Sequence, residues 1–181
     1  MNSRSKFSRW YIAVAEFIAL IFDGVISIYA HSLLGLSGIS ASFWLIVIAV
    51  VACSLIDENN NNEIILAFFM GLIADIYYLG FIGPYTVGLT FVSWLCQKVT
   101  RILPDVFVVR VPVIVICYLL FDVFFWFILT IASTISIPFS QVIWGMIANA
   151  ILALILASVT YPIFNFLGRE YPFAIRMNYY K

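Results

Sequence analysis

Charge is what this chain has least of. Lysine, arginine, aspartate and glutamate make up 10% of its 181 residues, against about 25% in soluble globular proteins. Nine bases and nine acids cancel, so no basic face is left over for nucleic acid. Histidine is nearly absent: His31, at the outer end of the first apolar run, is the only one. It reads as a polar tip at an interface. The three cysteines, Cys53, Cys96 and Cys117, each fall inside an apolar run at no metal-site or redox spacing. They read as small buried hydrophobes. No histidine-containing nucleophile set and no glycine-rich phosphate loop occur, and the polar connectors are too short for an active-site domain. Asp75 and Asp122 lack the Tyr-Asp or Gly-x-Gly-Asp context of an intramembrane protease dyad. The expectation is a protein that is not an enzyme and needs no metal or cofactor.

What is present is apolar. Hydrophobic residues reach 65% and the mean hydropathy is +1.11, values that describe an integral membrane protein. The runs lie near 10–30, 41–56, 64–80, 84–103, 111–132 and 141–167. With no polar stretch long enough for a soluble unit, residues 1–181 read as a single polytopic membrane domain. The fold class expected is an all-α integral membrane protein, a bundle of about six transmembrane helices. Glu16 and Asp23 in the first run, and the lack of a small-residue cleavage site, make that run a retained helix rather than a signal peptide.

Orientation follows from the bases. With six crossings, Arg4, Lys6, Arg9, Lys98, Arg101, Arg110, Arg169, Arg176 and Lys181 all fall on one side, which is therefore the cytoplasmic side. Both termini share it. If 64–80 and 84–103 form a re-entrant hairpin instead, four crossings give every loop the same side. Trp10, Trp44, Tyr77, Tyr78, Tyr85, Trp144 and Tyr161 lie near run ends, where an aromatic belt is expected.

Four acids, Glu16, Asp23, Asp75 and Asp122, fall within apolar runs with no base at the same depth. An ionised aspartate at mid-bilayer costs roughly 2.5–3.5 kcal/mol on insertion scales. These groups must bond across helices, face a wet cavity or carry protons, and spacing alone leaves all three open. Three stripes of small residues recur at every fourth position: Ala15-Ala19-Asp23-Ser27, Ala67-Gly71-Asp75, and Gly145-Asn149-Ala153-Ala157. Each marks a close-packing face, against a neighbouring helix or a partner's.

The most specific pattern is Gly71-Leu72-x-x-Asp75, a Gly/Pro break, then Gly83-x-Tyr85 opening the next apolar run. It resembles the corresponding hairpin of the MreD family of bacterial rod-shape proteins, small polytopic membrane proteins of about this size. Pro84 departs from the small or apolar residue usual in that family. The resemblance implies a non-catalytic component of the cell-elongation machinery. Its partners would be MreC in the membrane and, indirectly, MreB and the RodA–penicillin-binding-protein synthase. It further implies Ala67, Gly71, Leu72, Asp75, Gly83 and Tyr85 as the family motif, with the Ala67-Gly71-Asp75 stripe as a face for a partner's transmembrane helix. The alternative is the substrate-binding subunit of an energy-coupling-factor vitamin transporter. That family is expected to share the six-helix layout and to use an Ala-x-x-x-Ala face on the first helix, which Ala15 and Ala19 match.

Overall fold

The computed structural model describes residues 10–34, 43–56, 61–132, 139–171 and 173. Arg4, Lys6, Arg9, Arg176, Lys181, the His31 side chain, residues 57–60 of the polar connector, and the expected outer-loop residues 35–40 and 133–138 lie outside this set. Within it the chain is helical throughout, with a helix on each apolar run. These are α1 (Tyr11–Leu34), α2 (Leu45–Ser54), α3 (Asn61–Ala74), α4 (Pro84–Thr100), α5 (Phe107–Ile131) and α6 (Phe139–Glu170). One π turn, Asp75–Leu79, prolongs α3. Three segments are long and apolar enough to cross a membrane: Asn61–Leu79, Phe107–Ile131 and Val142–Glu170.

The bundle is built around its shortest helix. α2 reads Leu-Ile-Val-Ile-Ala-Val-Val-Ala-Cys-Ser, apolar on every side, and Ile46 through Ser54 are all buried. A helix with no polar face has to be covered all round. Each of the other five helices touches it. At 1.5 Å per residue its ten residues rise about 15 Å, half of a hydrocarbon core of about 30 Å.

The remaining helices turn their polar residues inward and leave many large apolar side chains outside. On α6, Gly145, Asn149, Ala153 and Ala157 are buried, while Ile147, Ile151, Ile155, Val159 and Ile163 are exposed. On α5 the inner face holds Ile114, Cys117, Tyr118, Phe121, Asp122 and Phe125. Glu16, Asp23, Asp75, Asp122 and Asn149 all lie inside. This distribution suits lipid as the outer solvent, since polar groups find partners only within the protein.

Three of the aromatics expected in an interfacial belt are inside instead: Trp44, Tyr85 and Tyr161 are buried, whereas Trp10, Tyr77 and Trp144 are exposed. Run-end position does not distinguish the two fates. Trp44 and Tyr85 stand at helix starts inside the bundle, and Tyr161 lies on the inward face of α6, nine residues before its end.

Candidate functional site

The hairpin between α3 and α4 is a single device made of the motif residues. Gly83, the N-cap of α4, has φ +154, a conformation that L side chains rarely adopt. Pro84 follows at the first helical position, where its missing N–H is no loss. The N–H groups that remain at this helix start all point at one carboxylate. Gly83 N and Thr86 N donate to Asp75 Oδ2 at 2.8 and 2.9 Å, Thr86 Oγ1 donates to the same oxygen at 2.6 Å, and Tyr85 N donates to Oδ1 at 2.8 Å. Asp75 has no solvent exposure. It caps α4 from the neighbouring helix, and the positive end of the α4 dipole accounts for an acid held within apolar surroundings.

Gly71 makes that contact reachable. A Cβ there would lie 2.6 Å from Thr86 Cα and 2.7 Å from the Tyr85 carbonyl oxygen, both backbone atoms that cannot swing aside. The π turn then carries the chain to Gly80, whose left-handed conformation returns its N–H to the Asp75 carbonyl at 2.9 Å. Ala67, Gly71 and Asp75 are all buried against the bundle, with Leu72 half-buried beside them. The stripe is thus occupied internally, so a partner meeting this hairpin has to use another face, such as the exposed one with Ile65, Phe69, Ile73 and Ile76.

A second helix start is held in the same way. Leu45, the first residue of α2, donates its N–H at 2.8 Å to Oδ1 of Asp23 on α1. Trp44, just before it, donates Nε1 at 3.0 Å to Asp122 of α5, whose other oxygen accepts Asn149 Nδ2 from α6 at 2.7 Å. The Trp44 ring lies 5.6 Å from Tyr85, 5.4 Å from Phe121 and 4.6 Å from Phe125. Tyr78, from the π turn, donates its hydroxyl to the Leu20 carbonyl of α1. The starts of α2 and α4 therefore sit side by side in one aromatic cluster, with an aspartate serving each.

Three of the four intramembrane acids are thus joined by hydrogen bonds to neighbouring helices. Glu16 differs. It hydrogen-bonds Cys53, and its Oε2 is buried with no hydrogen-bond partner. Among the described residues no group of three metal-ligating side chains comes together. Ala19 is buried and Ala15 half-buried on α1. Trp44, Asn149 and Arg110 were not singled out as site residues by sequence. For Asn149 the available signal was a polar group at an inward helical position, and for Trp44 an indole N–H just before a wholly apolar helix, each with an acid able to meet it.

The chain matches one family model, rod shape-determining protein MreD, over residues 6–167. No curated protein and no solved structure matches it. Because the match runs from before α1 into the last turns of α6 and includes the capped hairpin, the chain belongs to the MreD family of rod shape-determining proteins.

Proposed function

We propose that this protein is a non-catalytic membrane component of the bacterial cell-elongation complex, binding an MreC-like membrane protein and, through it, MreB and the RodA–penicillin-binding-protein synthase. Membership of the MreD family carries this reading. The architecture supports it: the intramembrane aspartates serve helix starts and interhelical ties, as in a scaffold, and not an assembled reaction centre. In this reading the protein crosses the cytoplasmic membrane six times with both termini in the cytoplasm, and its outward apolar faces meet lipid or the partner helix.

The test is an affinity pull-down of the tagged chain from native membranes in mild detergent, with co-purifying proteins identified by mass spectrometry. MreC and the elongation synthases should be recovered. A coupling subunit recovered with two ATPases, and no MreC, would overturn the reading in favour of a vitamin transporter. Gly71→Leu is a poor probe of partner docking, because the side chain would collide with the α4 backbone first. Substitutions on the outward face of α3, such as Phe69→Ala, separate docking from folding.

A further inference from the structure

At the end of the bundle where α4 passes to α5 and α6 finishes, a cavity of about 420 Å³ opens between the two segments. Its apolar wall is aromatic: Phe107 and Tyr161, packed edge to face at 5.6 Å, and Phe166. Its polar rim carries both signs. Asp105 bridges two arginines, Arg110 Nη2 at 3.1 Å on Oδ1 and Arg169 Nη2 on Oδ2, and Glu170 lies alongside. Arg169 Nε is engaged by Asn165 Oδ1 at 3.0 Å, which leaves its Nη1 donors for an incoming acceptor. Arg110 lies outside the lining, only 4% exposed, and holds the other carboxylate oxygen of Asp105 from inside the bundle.

We infer that this cavity binds the headgroup of a zwitterionic phospholipid, its phosphate toward Arg169, its ammonium toward Glu170, and the start of an acyl chain against Phe107 and Phe166. Guanidinium groups suit phosphate oxygens, which accept more than one donor each. The lining holds one arginine and two acids, so a headgroup that brings an ammonium along with its phosphate fits better than an anionic one. The position also fits. Tyr161 to Glu170 are the last turns of the long apolar α6, at the level where lipid headgroups meet the protein. The inference requires the chain to lie in a bilayer and is independent of which elongation partner it binds.

The experiment is native mass spectrometry of the detergent-purified full chain, with phosphatidylethanolamine or phosphatidylglycerol added in mixed micelles and bound-lipid peaks counted. Phosphatidylethanolamine is expected to be retained in preference to phosphatidylglycerol. Arg169→Ala should weaken that retention roughly tenfold, the size of one charge-assisted hydrogen bond lost. If Arg169→Ala lowers the melting temperature, the exposed Glu170→Gln carries the test, because removing the ammonium's counter-charge should abolish the preference over phosphatidylglycerol. Equal retention of both lipids by the wild type overturns the inference, as does a Glu170→Gln protein with its preference intact. Equal protection by soluble glycerophosphoethanolamine overturns it too, by pointing to a free phosphate ester as the ligand. A failed lipid result alongside a successful pull-down of MreC leaves the scaffold reading standing.

Discussion

Three of the four hydrogen bonds to Asp75 fall on one oxygen, Oδ2, and the fourth falls on Oδ1. Asparagine can present a carbonyl to the first three donors, but its amide then faces the Tyr85 N–H. Asp75→Asn is therefore expected to cost about 1–3 kcal/mol, one buried donor left unsatisfied, and Asp75→Ala more than Asp75→Asn. Thermal or denaturant unfolding in detergent measures both. An Asp75→Asn protein as stable as wild type would mean that the carboxylate does not cap α4. Gly71→Ala should cost about 1–3 kcal/mol by overpacking against Thr86 and Tyr85. Because the collision moves α4 away from Asp75, the Gly71→Ala/Asp75→Ala double variant should lose less than the sum of the singles. Strict additivity would show that the glycine and the carboxylate act separately.

At the level of elements, α2 is the least accessible part of the bundle, and the three cysteines report on it and its surroundings. Cys53 is on α2, and the thiols of Cys96 and Cys117 lie 3.4 Å apart between α4 and α5, all buried. None should react with a membrane-permeant maleimide in the folded protein, and all three should react once it is unfolded in denaturant. Fast labelling of Cys53 in the native state would contradict a sheathed α2. The helices themselves were legible, since six apolar runs in a chain with so little charge leave few other ways to satisfy the backbone in lipid. Which helix occupies the centre was less so. The second run looks merely short in sequence. Its lack of any polar face gains its meaning only when α5 and α6, long apolar helices that do carry polar residues, are seen to place Asp122 and Asn149 inward. The motif residues were legible as a cluster and not as a mechanism, because the bonds from Asp75 end on backbone N–H groups, which no residue type announces. Trp44 and Tyr85 were misplaced for a related reason. An aromatic residue at a run end looks the same whether that end meets the interface or another helix.

For the whole molecule, the tip of the α3–α4 hairpin distinguishes six crossings from four. Ile82 is exposed at that tip. In the proposed topology Ile82→Cys should react with a membrane-impermeant maleimide added outside spheroplasts, and a C-terminal green fluorescent protein fusion should fluoresce in the cytoplasm. Protection of residue 82 would favour a hairpin that turns back within the bilayer.

The aspartate caps also bear on how the chain is made. A carboxylate entering lipid unaccompanied meets a cost of roughly 2.5–3.5 kcal/mol, and synthesis delivers each of these acids before at least one of its partners. Asp75 precedes the donors at 83–86 by only eight to eleven residues, so α3 and α4 can leave the insertion machinery as one unit with the acid already satisfied. Asp23 has to wait for Leu45, and Asp122, although Trp44 precedes it, has to wait for Asn149. The bonds thus pair successive helices: α1 with α2 through Asp23, α3 with α4 through Asp75, and α5 with α6 through Asp122. An assembly that proceeds by pairs keeps each acid uncompensated only for the interval between one helix and the next.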